Sequence, residues 1–102
     1  MIKAIEKLPG KNAQVVMIGK ELEDLQELVG GYIEFYDLTD TISIMVNEEG
    51  KLMGLPFNFY VDQMLCRYPE RIVGNAYIVA IDNEGDLRSL TDEEVEDYID
   101  MF

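Results

Sequence analysis

Twenty-one carboxylates, one thiol and no imidazole set the chemistry open to this 102-residue chain. Without histidine there is no Ser-His or Cys-His pair to raise a nucleophile and no usual zinc set. Neither G-x-x-x-x-G-K-[ST] nor G-x-G-x-x-G occurs, so the common phosphate cradles are missing. Cys66 has Arg67 and Arg71 near it in sequence, which could lower a thiol pKa, but a buried or incidental thiol is the preferred expectation. Asp82-x-Glu84-x-Asp86 has the first three ligand spacings of a calcium loop. The position that needs the sharp-turn glycine is Leu87, however, and Gly85 comes one residue early. Among so many acids a glycosidase-like carboxylate pair is conceivable, yet nothing marks one pair as special. The expectation is a chain with no catalytic residues, no metal and no cofactor.

The net charge of −13 is unevenly placed. Residues 1–20 carry Lys3, Lys7, Lys11 and Lys20 against Glu6 alone, whereas residues 21–50 carry nine acids and no base. Residues 82–102 carry nine acids against Arg88. Such blocks argue against nucleic acid or an anionic membrane as direct partner, because phosphate contacts want Lys or Arg. They point to a basic protein surface, or simply to solubility. A hydrophobic fraction of 48% is normal for a globular domain and too high for a disordered acidic tail. No apolar run reaches a membrane span, the first residues do not read as a signal peptide, and the lone Cys66 gives no sign of an oxidising compartment. The expected location is the cytoplasm.

Aromatics are the second signal. Tyr32, Phe35, Tyr36, Phe57, Phe59, Tyr60, Tyr68 and Tyr77 crowd the middle of the chain, and core packing accounts for some of them. Presented on a surface, Phe57, Asn58 or Tyr60 beside arginine could hold a nucleobase or nucleotide-like ligand. The alternative ligand set is therefore Asn58, Tyr60, Arg67 and Arg71.

The elements that position these residues follow from pattern. Residues 2–8 and 13–18 read as strands around the turn Pro9-Gly10-Lys11-Asn12. Leu22, Leu25, Leu28 and Val29 make one face of a helix over roughly residues 20–29, which Gly30-Gly31 ends. Strands are expected at 32–37 and 41–46, where Ile42, Ile44 and Val46 alternate with Thr41, Ser43 and Met45. Asn47-Glu48-Glu49-Gly50 reads as a hairpin turn with a return strand over Leu52 to Leu55. Residues 57–70 read as either a helix or an aromatic-rich loop. Arg71 to Ile81 reads as one buried strand, followed by a turn over residues 82–85. Thr91-x-x-Glu94 is a capping box ahead of the stripe Val95, Tyr98, Ile99 and Phe102. The expected fold is a single α+β domain over residues 1–102, with a mainly antiparallel sheet of about five strands and two or three helices packed on it.

The last helix carries the sharpest functional signal. Asp92, Glu93 and Glu94 suit its N-terminus, but Glu96, Asp97 and Asp100 lie towards the negative end of the dipole. Asp92–Glu96, Glu93–Asp97 and Glu96–Asp100 are also like-charge i,i+4 pairs, each costing a few tenths of a kcal/mol. A solvated face is the bland explanation; a surface shaped for a basic partner is the functional one. The expected partner-binding residues are Asp82, Glu84, Asp86, Asp92, Glu93, Glu96, Asp97 and Asp100, with Glu21, Asp24 and Glu27 second.

Four segments carry a resemblance: Leu25 to Glu34, Asn47 to Asn58, Ile72 to Tyr77 and Ser89 to Glu94. In them the chain resembles domain-of-unknown-function family 3846, carried by phages, prophages and conjugative elements of Firmicutes and gut bacteria. It departs where family members often have a basic residue after Asn58; here that residue is Phe59. The resemblance implies a mobile-element origin and brings no catalytic residues. Small acidic phage proteins of this size are often inhibitors of host defence, and a type II-A anti-CRISPR protein resembles this chain. The functional expectation is a non-enzymatic inhibitor of a Cas9-type nuclease. The alternatives are a binder that sequesters a nucleotide-derived signal and a structural or regulatory adaptor of the mobile element.

Overall fold

The computed structural model describes residues 1–61 and 69–102. β1 (Ile2–Lys7) and β2 (Gln14–Ile18) form a first hairpin, with Ile2 opposite Ile18 and Glu6 opposite Gln14. α1 (Leu22–Val29) ends at Gly30, whose φ of 80° lets its N–H return to the Gln26 carbonyl. β3 (Ile33–Asp37) and β4 (Ile42–Asn47) form a second hairpin. β5 (Phe57–Val61) pairs with β6 (Glu70–Val73) as a separate two-stranded sheet. β7 (Ala76–Ile81), the short β8 (Leu87–Arg88) and α2 (Asp92–Tyr98) follow, and α2 tightens into a 3-10 turn over Ile99–Met101.

The main sheet runs β2-β1-β7-β4-β3, with β8 added on β7. Ile78 stands between Ile5 and Ile44, and Ala80 between Arg88 and Ile42, so β1 and β8 share one edge of β7 while β4 takes the other. β7 is thus inserted between the two local hairpins. Both faces of the sheet are covered. Ile5, Ile42, Ile44 and Ile78 pack under Val61 and Ile72 of the small sheet and under Val95, Tyr98, Ile99 and Phe102 of the C-terminal segment. Ala4, Met45, Tyr77 and Val79 pack under Leu25 and Val29 of α1. A sheet covered on both faces has continuously apolar central strands, which is why β4 is buried along its whole length and β7 almost so.

The α+β class agrees with the structure, but among the described residues the main sheet has six strands rather than about five, and two more form the small sheet. The return strand expected over Leu52 to Leu55 is absent. Those residues continue in turns, with Met53 N–H on the Glu49 carbonyl and Leu55 N–H on that of Gly50, and Leu52 is 88% exposed. β4 already has β3 on one side and β7 on the other, so no edge is vacant for a return strand. Residues 71–81 are two strands in two sheets, divided where Gly74 takes a φ of 73°. Residues 57–61 are strand rather than helix or loop, and the rest of the 57–70 segment up to Tyr68 lies outside the described residues. Leu22 stands off the apolar face of α1, 62% exposed in its first turn.

Candidate functional site

In a fully antiparallel sheet, the last residues of β2, β3 and β7 and the first residues of β1 and β4 lie at one end. The connections there bring together the β3–β4 turn, the β7–β8 turn and the entries to both helices. Ile81 N–H donates to the Thr41 carbonyl at 2.8 Å, and Leu90 N–H to that of Lys3 at 2.9 Å. Asp37, Asp40, Asp82, Glu84, Asp86, Glu21 and Asp92 are all exposed at this end. Acids from two blocks far apart in sequence therefore share this end.

Some of these acids hold structure. Glu94 accepts from both terminal nitrogens of Arg88, at 2.7 and 3.0 Å, and from Thr91 N–H at 2.9 Å, while Thr91 Oγ1 accepts Glu94 N–H at 3.1 Å. This completes the capping box. The Arg88 hydrogen bonds, with the Thr91 N–H, hold the Glu94 carboxyl down at about 2. Asp92 lies 2.7 Å from Lys3 Nζ, and that bond lowers its pKa too. Asp82 Oδ1 accepts the N–H groups of Glu84 at 2.9 Å and Asp86 at 3.0 Å, so the Asp-x-Glu-x-Asp spacing serves a turn.

Other acids face solvent. Glu93, Glu96, Asp97 and Asp100 are exposed along α2 and its 3-10 extension, and none is in an ion pair among the described residues. Glu84 and Asp86 are exposed beside them in sequence, and Asp82 lies close enough to Arg88 to act on its charge. α1 lies on the opposite face of the sheet. Its entry, Glu21, reaches the acidic end, and the Asp24 carboxylate folds back over Gly19, where any Cβ would collide with it. Glu27 sits a turn further on, in a cleft with Met17 and Leu28, away from the acids of α2. Asp37 and Asp40 complete the acidic end and escape a search by helix pattern, since only the strand order puts them beside the 82–86 turn.

The alternative ligand set is divided. Asn58 is engaged: its Nδ2 donates to the carbonyls of Lys7 and Gly74, both at 2.8 Å, and its Oδ1 accepts from Lys7 Nζ at 3.1 Å. It ties the small sheet to the main one. Tyr60 is exposed, with its ring 5.0 Å from that of Phe57, and the Arg71 guanidinium lies 5.7 Å over Phe57. Arg67 lies outside the described residues.

A cavity of about 210 Å³ opens between β3, β4 and β6, lined by Glu34, Tyr36, Glu48, Lys51 and Arg71 among others. Tyr36 donates to Glu70 at 3.2 Å, and Glu70 also pairs with Lys51. Burial, with Glu34 and Glu70 beside it, pushes the Tyr36 hydroxyl well above its ordinary pKa, while the Lys51 bond pulls Glu70 down. Two of the cavity's polar groups, Tyr36 and Lys51, are thus engaged by Glu70. No helix among the described residues is long and apolar enough to cross a membrane.

The molecule is thus an α+β domain with one acidic end and an acidic helix beside it. A family model for a domain of unknown function (DUF3846) matches residues 2–102, and the chain belongs to that family. No curated protein and no solved structure matches it.

Proposed function

We propose that this chain is a non-enzymatic binding protein of phage or mobile-element origin. It would inhibit a host defence nuclease by seating its acidic end and the outer face of α2 in a basic nucleic-acid channel, such as that of a Cas9-type enzyme. The observation that carries this is that Glu21, Asp37 and Asp40 of the first acidic block lie at the same end of the sheet as Asp82, Glu84, Asp86 and Asp92 of the second. Of the bases there, Lys3 and Arg88 are each paired, and Lys20 alone stands beside the acids without an ion pair among the described residues. The like charges along α2 reduce helix stability, so a role in binding is a reason for them to be there. Pull-down from host lysate at low and high salt tests the proposal. The expected result is a basic, nucleic-acid-handling protein retained at about 50 mM salt and lost towards 500 mM, since exposed charges are screened within about 10 Å at 0.1 M. Retention that ignores salt would overturn it.

The exposed pair Phe57 and Tyr60 beside Arg71 favours a second reading, stacking of a nucleotide-derived ligand. A ligand at 100 times its dissociation constant stabilises folding by about 2.7 kcal/mol, a melting shift on the order of 10 °C. Cyclic dinucleotides and NAD should give no such shift if the acidic surface is the functional one.

A further inference from the structure

We infer that two copies of this chain pair edge to edge through β2, antiparallel and centred on Val16. Among the described residues β2 is an outer strand of the main sheet, paired on one side only, with β1. Outer strands are normally protected by charge, proline or a bulge. Gln14-Val15-Val16-Met17-Ile18 has none of these, and Val15 and Met17 are 46% and 53% exposed.

Charge selects the occupant. A chain of net −13 repels its own copy over most of its surface, and the opposite outer strand, β3, carries Glu34 and Asp37. β2 itself carries no charge, so it is the outer strand on which two copies repel least. The register follows from the strand itself. Centring on Val16 pairs all five residues, Gln14 with Ile18 and Val15 with Met17 of the other copy. It keeps residues of like parity opposite one another, so whichever row of N–H and C=O groups faces outward meets its complement. Centring one residue either way leaves two end residues of each strand unpaired. The contact is two-fold and closed, so it ends at a dimer. Because the strands run antiparallel, the two acidic ends point in opposite directions, and one dimer presents two separate binding ends.

Sedimentation velocity on the intact chain tests this. At about 100 μM, where a micromolar interface is saturated, the expected species is a dimer. Val15→Lys with Met17→Lys places four extra charges across the seam and should leave a folded monomer, checked by circular dichroism. Val15→Lys with Met17→Glu sets Lys opposite Glu twice across the seam in this register and should restore the dimer. A wild-type monomer, a dimer that survives the lysine pair, or a ladder of larger oligomers such as head-to-tail β2–β3 pairing would give, overturns the inference. Failure of the charge swap to restore the dimer overturns the register.

Discussion

Replacing Glu94 by Gln separates the acid that holds α2 in place from the acids that α2 displays. The Glu94 side chain is 19% exposed and receives both arms of Arg88, itself 34% exposed. Its carboxyl sits at about 2 against an ordinary value of 4.5. At about 1.4 kcal/mol per pH unit this sets a ceiling of roughly 3 kcal/mol, and solvent around Arg88 brings it nearer to 2 kcal/mol. The amide oxygen of the substituted side chain could still accept the Thr91 N–H, so the loss falls on the ion pair. For a domain of this size the melting temperature should drop by roughly 10 °C at neutral pH. The carboxyl is depressed on folding, so its stabilisation is complete above about pH 4.5 and disappears as pH falls towards 2. Circular dichroism melts of both proteins should therefore differ at pH 7 and converge only below about pH 2. No difference at pH 7, or one that persists at the acid end, would refute the assignment.

Changing Glu93, Glu96, Asp97 and Asp100 together to Gln should leave the melting temperature unchanged or a few degrees higher, while low-salt capture of the partner falls. Asp82→Ala deprives two turn N–H groups of their acceptor and should cost about 1 kcal/mol, roughly 5 °C in a thermal melt. Asn58→Ala removes three hydrogen bonds, two to Lys7 of the main sheet and one to Gly74 between β6 and β7, and should cost about 2–3 kcal/mol in urea titration, whereas Tyr60→Ala stays within about 0.5 kcal/mol. Gly74→Ala meets both a φ of 73° and a Leu55 Cδ1 at 2.8 Å, and should cost about 1–2 kcal/mol by the same titration.

Where a segment's structure is decided by its own neighbours in sequence, the chain is legible. Thr91 and Glu94 form the capping box that their spacing implies, and Gly30 ends α1 as a left-handed residue. Ile42, Ile44 and Val46 do share one face of β4. Legibility stops where a distant strand decides. Leu52 and Met53 look like strand residues, but β7 occupies the edge they would need. Gly74 reads as an interior strand glycine until Leu55 and Asn58 show it at the junction of two sheets. Asn58 looks like a ligand-binding amide and turns out to be a strut. The acidic end is legible only in part. The charge blocks stand in the sequence, but their meeting depends on strand order, which also recruits Asp37 and Asp40 and places Glu27 elsewhere.

The position of β7 also governs how the molecule comes into being. Both local hairpins can close as soon as their own residues leave the ribosome, since each needs only a short loop. Neither can find its place until Ala76–Ile81 has been synthesised and slots between them. Such distant pairing slows folding and leaves the inner edges of β1 and β4 open in the interval. Residues 21–50 have by then been made, with nine acids and no base. Mutual repulsion among nascent chains would keep those open edges apart, so the charge that the finished protein displays would already guard it during its own birth.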